Sequence, residues 1–402
     1  MREACLTTVL DLSLPLDDDA GVVARLSAGL CSCLELLRVH PRLKLELALA
    51  GGVTSALLRF GHERALQLVA ERASAGQISF LSTASHGGFL PLLPPGESFR
   101  QLELTHQQNN GALGDFVYRP EGLFPPQLGY SRRIAELAKR RGMRRIVLDD
   151  LAYHGGSVQL PRERHFNLRG EQRLALFFID RRLSEAVAGG HGASAEAIRA
   201  AIPSRKPGYV VVRVPARALH SGGPAEQLLT SVAHADHLLP ALLEDLLAFF
   251  GDLEEVEPFA CALGTDPGEL ASGVPYPRWS APGNELQAIL WRLAQLASAE
   301  AARATLARGD DAQALGRLRL CLDEALDCSA WRYAAGRPER DPERVVEGGR
   351  RLLEALRAGR PAVSTAALSE GEELFAHLEQ RCRAEGQLGH SCLSEDGVFA
   401  PH

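Results

Sequence analysis

Carboxylates and imidazoles that follow short β-rich runs are the places in this chain where chemistry could sit. Asp11 stands in CLTTVLDL, His86 follows QISFLST, and Glu121 follows DFVYRP. Asp149 and Asp150 close RRIVLDD, and Asp180 closes LALFFID. Ser13 stands just past Asp11, and Pro215 follows YVVVRV. Carboxylates that converge in pairs can act as nucleophile and general acid or base. Each also has a plainer reading. Glu121 lies beside Arg119, which suits an ordinary ion pair, and Asp149 and Asp150 suit helix capping or a loop as well as a cleft. His234 and His237 share a helix face at i, i+3 spacing with no acidic third ligand placed beside them, so a solvated face is expected and no metal. Cys31 and Cys33 sit in an apolar helix with no second ligand pair, which points to core packing. GGHG at 189–192 lacks the Lys-Ser/Thr of a phosphate loop, and no cofactor is expected.

The elements that must position these residues alternate. Strands are expected at 5–12, 43–50, 77–83, 115–120, 144–150, 174–180 and 209–214, with helices between several of them. Val22, Leu26, Leu30, Leu34 and Leu37 repeat near the helical period ahead of Pro41. Strands that are apolar on both faces and alternate with helices predict a parallel sheet, closed or nearly closed into a barrel. In such a barrel, functional side chains gather at the C-terminal ends of the strands. Near residue 265 the texture turns Gly- and Pro-rich, and after it only helices are expected, at 285–299, about 311–328 and 342–358. This divides the chain into a barrel over 1–275, a helical domain over 276–360 expected to pack on it, and a C-terminal helix and loose tail over 361–402.

Composition removes several function classes. A net charge of −6 over 402 residues supplies no basic surface for nucleic acid and none for an anionic membrane. Only Lys44, Lys139 and Lys206 are lysines among 44 basic residues, a bias of GC-rich bacterial coding. The N-terminus lacks the pattern of a secretory signal, and no apolar run is expected to reach the length of a membrane span. Eight scattered cysteines suit free thiols in a reducing compartment, so a cytoplasmic location is expected.

Two linked segments carry a resemblance. GQISFLSTASHGGFLPLLPPGESFRQLEL (76–104) and YRPEGLFPPQLGYSRRIAELAKRRGMRRIVLDD (118–150) resemble glycoside hydrolase family 57, the α-amylase and glucan-branching family. PYPRWSAPGNELQAILWRL and CLDEALDCSAWRYAAGRPERDP are similar to its C-terminal helical part, so the likeness spans most of 5–360. It implies an incomplete (β/α)7 barrel, mostly parallel, followed by an all-helical domain. It also implies positions for the chemistry. The nucleophilic glutamate of the family's FPPE motif falls on Gln127 of GLFPPQLGY, and the acid/base pattern D-x-E falls on Pro215 and Arg217. The family's His-x-Pro falls on Ser13-Leu14-Pro15. Retaining glycosidases need two carboxylates about 5–5.5 Å apart, and these substitutions remove both. His86, Tyr130 and Trp279 are left as candidates for sugar contact, although Trp291 beside Trp279 sits in a core-like pattern. Polysaccharide deacetylases share a related barrel, but their metal-binding His pattern does not occur here.

The expected function is therefore that of a catalytically impaired relative that binds carbohydrate of the α-glucan type or regulates its metabolism. One alternative is an active hydrolase or transglycosylase with relocated carboxylates, Glu121 with Asp150 or Asp11. Another is a protein-interaction scaffold that uses only the fold, its partner unnamed.

Overall fold

The computed structural model describes residues 4–12, 19–171, 173–190, 194–201, 207–307, 311–336 and 340–392, with side chains to 384. Ser13 and its neighbours to 18 lie outside the described residues. The chain divides into two compact units, Met1–Pro275 and Tyr276–His402.

In the first unit the strands are β1 (Ala4–Leu12), β2 (Leu45–Leu49), β3 (Ile78–Ser82), β4 (Gly122–Leu123) and β5 (Arg145–Asp149). They continue as β6 (His165–Leu168), β7 (Ala175–Ile179), β8 (Gly208–Pro215), β9 (Leu238–Pro240) and β10 (Leu253–Val256). The ring runs β1-β2-β3-β4-β5-β7-β8 and returns to β1, with every pair parallel. Seven strands thus close a barrel, and the seam between β7 and β8 is thin, a ladder pair of Ile179 with Val211. Outside the ring β6 pairs antiparallel with β7, β10 pairs with β6, and β9 adds to the start of β1.

Strand side chains alternate between two apolar environments. Leu6, Leu10, Leu47, Leu49, Val210 and Val212 belong to an outer cluster shared with the surrounding helices. Val9, Ala48, Leu81, Val147, Phe177, Ile179 and Val211 form an inner cluster. This parity explains why the strands read as apolar throughout. It also carries Asp11, Asp149, Arg213 and Pro215 inward at the C-terminal ends. The opposite end is closed from below. Ala241 N donates to Leu6 O (2.9 Å), Thr7 Oγ1 donates to Ala241 O (2.8 Å), and Leu243, Leu246 and Phe250 join the inner cluster.

Three expectations fail here for physical reasons. DFVYRP is not a strand. Its Val117 and Tyr118 meet a packed surface as a loop, where Tyr118 lies edge-on to Phe80 with ring centroids 5.0 Å apart. The short strand follows it, at Gly122–Leu123. The helix Ala20–Val39 does have the length and apolar composition of a bilayer span. Its Val23, Leu26, Leu30, Leu34 and Leu37 are buried in the outer cluster. Gly29 lets that helix approach the β8 turn, since a Cβ there would lie 2.4 Å from the Leu219 carbonyl carbon. The His pair also separates: its helix ends at Ala233, so His234 is a cap residue and His237 lies beyond it.

The second unit consists of helices Glu285–Leu306, Ala312–Ala325, Ser329–Ala334, Pro342–Ala358 and Thr365–Cys392. The last helix runs as far as Cys392, within the 361–402 expected as a C-terminal helix and loose tail. Leu290, Leu293, Leu318, Leu322, Trp331, Leu352 and Leu356 are buried. Gly348 permits close packing, a Cβ there meeting Ala330 Cβ at 2.3 Å.

Candidate functional site at the barrel mouth

The C-terminal end of β4 runs into Phe124-Pro125-Pro126-Gln127, and Phe124 N donates to Ser82 O (2.8 Å), extending the pairing with β3. The prolines stop the ladder, and a short 3-10 turn follows at Pro126–Leu128. Within it Gln127 (φ 56°) and Leu128 (φ 53°) both take the left-handed conformation. Two successive non-glycine residues there cost about 1–3 kcal/mol each, a strain that persists only where the surroundings enforce it. They do so through a strap: Leu263 N donates to Gln127 O (2.7 Å), and Tyr130 N donates to Cys261 O (2.8 Å). The strap also reaches β5 and β7. Phe259 N donates to Ala152 O (2.9 Å), and Arg181 Nη1 donates to Thr265 O (2.9 Å). Residues 259–265 therefore tie three strand ends together, and Leu263 packs against the inner cluster.

Each acidic side chain at this end has an arginine. Arg213 donates Nε (2.9 Å) and Nη2 (2.6 Å) to Asp11 Oδ2, both side chains being nearly buried. Arg181 pairs with Asp149 and stands 3.7 Å from Asp150. Arg162 donates to Asp180 (2.6 Å), whose other oxygen caps the helix Arg181–Ala188 at Leu183 N. Asp149 also accepts from Leu151 N (2.9 Å), a capping contact and one of the roles its sequence left open. Pro215 is buried at the end of β8 in register with Asp11, and Arg217 is exposed on the next turn.

Asp150 differs from the rest. Burial first, and the neighbouring Asp149 carboxylate second, push its carboxyl up to about 6. A carboxyl raised above its unfolded value of about 3.9 binds its proton more tightly in the folded chain. Its contribution is therefore full below about pH 4 and is lost as pH rises through about 6. Asp150→Asn should flatten the fall in melting temperature across that window. Superimposable profiles for variant and wild type would show that Asp150 titrates normally.

A support that the sequence reading missed holds the other strand ends. The helix Pro95–Leu113 turns a polar stripe, Gln101, Thr105, Gln108 and Asn109, toward β2 and β3. Asn109 donates to Leu49 O (2.9 Å) and accepts from Thr54 Oγ1 (2.5 Å). Ser85 Oγ donates to Gln108 Oε1 (2.6 Å), and His86 N donates to Gln101 Oε1 (3.1 Å). The signal was available, because i, i+4, i+7, i+8 is one helical face. His86 is thus a half-buried residue of a pinned turn at the end of β3.

Three candidates are displaced. Glu121 precedes β4 and pairs with Arg145 (3.3 Å) at the start of β5, so it stands toward the closed end of the barrel. It does not face Asp150 or Asp11, because each lies at the far end of its own parallel strand. Tyr130 is 1% exposed and offers no ring face at the mouth. Trp279 is fully buried in the second unit, its carbonyl accepting from Trp291 Nε1 (2.7 Å), so core packing replaces the expected sugar contact.

Comparison with known proteins agrees with the resemblance. The model of glycosyl hydrolase family 57 matches residues 30–197. No curated protein matches the chain by sequence. A GH57-type branching enzyme from Pyrococcus horikoshii superposes with a TM-score of 0.67 at 14% identity, covering 94% of this chain and 95% of that one. The α-amylase of Thermotoga maritima gives 0.60 at 12% identity, covering 94% and 97%. The 4-α-glucanotransferase of Thermococcus litoralis gives 0.65 at 12% identity over 89% of this chain, which spans only 60% of the transferase. At such identities the likeness is one of fold.

Proposed function

We propose, from the match of residues 30–197 to the model of glycosyl hydrolase family 57, a non-hydrolytic role: binding carbohydrate of the α-glucan type, or regulating its metabolism, with a barrel that no longer cleaves glycosidic bonds. The observation that carries this reading is the pairing at the mouth. Gln127 stands on the strained turn where the family resemblance requires a nucleophile, and a neutral amide cannot form a glycosyl ester. Pro215 stands where it requires an acid and has no proton to donate. The inward carboxylate in register with it, Asp11, is held by Arg213. Two carboxylates free to converge on one glycosidic oxygen are what the reaction demands.

Reducing-end assays on maltooligosaccharides, glycogen and starch test this directly, with no sustained turnover as the expected result. Gln127→Glu alone should not restore hydrolysis, because it supplies a nucleophile and no acid. Strong activity from that single change would overturn the proposal.

The strap favours a second reading. Leu263 packs onto the barrel's inner apolar cluster from the mouth side, which suits a scaffold that keeps only the fold and meets a protein partner. Saccharide titration separates the two readings, since a scaffold would bind neither glucose nor maltose.

A further inference from the structure

A cavity of about 470 Å³ lies on the barrel's flank, between the helix Pro95–Leu113, the loop 114–121 and the turn after the helix Arg132–Arg140. It is within the size range of small-molecule sites. Asn110, Asp115, Tyr118, Arg119, Glu121 and Arg141 line it. Two of these carry buried polar atoms with no hydrogen-bond partner, Asn110 Oδ1 and Arg141 Nε, and the buried Tyr118 hydroxyl is met by Asn109 and Ser82. Tyr118 is 1% exposed. Most buried polar groups in folded proteins are satisfied, so two orphans on one cavity wall call for a ligand.

The lining also defines its chemistry. Two guanidiniums stand against two carboxylates, so the charges cancel and an anion would face Asp115 and Glu121. Both arginines are engaged besides. Arg141 pairs with Glu103 and lies over the Phe99 ring (5.1 Å), and Arg119 lies over Phe116 (5.4 Å) while donating to Asp115 O (3.2 Å). What remains is a mixture of donors and acceptors at close spacing, as a neutral ring of hydroxyls requires. Phe116 is 88% exposed beside this lining and offers an aromatic face of the kind on which the C–H face of a sugar ring can lie.

We propose that this flank cavity is a saccharide-binding site, taking a neutral hexose or disaccharide of the glucose type, with Asn110, Tyr118 and Arg141 meeting its hydroxyls and Phe116 covering one ring face. The ligand class rests on the carbohydrate reading above; the location does not. Its lining includes neither Gln127 nor any residue of the strap 259–265.

Calorimetric titration of the full chain with glucose, maltose and inorganic phosphate tests it, using wild type, Asn110→Leu, Phe116→Ala and Tyr118→Phe. Maltose should bind the wild type and phosphate should not. Asn110→Leu should weaken maltose by about tenfold or more, and Phe116→Ala by several-fold. Tyr118→Phe removes the hydroxyl and keeps the ring packed on Phe80, so it should stay folded while weakening maltose. That combination keeps the test valid if Asn110→Leu fails to fold. Equal maltose affinity in wild type and variants would overturn the flank site and leave the carbohydrate reading standing. Binding of phosphate alone would also overturn it. Absence of any saccharide binding would remove both.

Discussion

Arg213→Ala should cost about 3–5 kcal/mol of folding stability, the range for leaving one partner of a buried ion pair without its counter-charge. Arg213 Nε and Nη2 both donate to the same Asp11 oxygen, and the two side chains are 8% and 7% exposed. Without the guanidinium, the carboxylate faces the inner apolar cluster at the end of β1. Replacing both partners by apolar residues of similar volume, Asp11→Leu with Arg213→Met, should recover much of the loss, because the desolvation of two charges is then avoided. Denaturant unfolding of both singles and the double measures the coupling. Additive losses would mean that the pair does not hold the barrel mouth together.

Trp279→Ala should cost a similar amount, about 3–5 kcal/mol, through the cavity left by a large buried ring. The side chain is 0% exposed, and its backbone oxygen anchors Trp291, whose ring lies 4.5 Å from that of Trp331. Three tryptophans thus build the start of the helical unit. Trp279→Phe keeps most of the volume and should lose much less. Maltose affinity should not change in Trp279→Phe, and a loss of affinity there would restore the stacking role that its burial argues against. Tryptophan fluorescence during unfolding reports on the same residues, since Trp279, Trp291 and Trp331 all lie in this unit.

Local pattern alone determined the parallel architecture, because a strand buried on both faces must be apolar at every position. The alternation of strand and helix and the shift to helices after residue 265 were legible for that reason, whereas the reading of Gln127 and Pro215 came from what the family resemblance implies. Each is a property of residues close in sequence. What the tertiary structure decided is who meets whom. Asp11 and Arg213 are 202 residues apart and come together only because β8 lies beside β1 in one register. Glu121 read as a mouth residue because DFVYRP has strand-like composition. The actual strand begins after it, which sends the carboxylate toward the closed end with Arg145. Tyr130 and Trp279 looked available by residue type, and burial removed them, since exposure depends on the segments packed from elsewhere. The flank cavity is likewise a product of packing: Asn110, Tyr118 and Arg141 belong to three segments whose polar atoms converge only after the helices dock on the sheet.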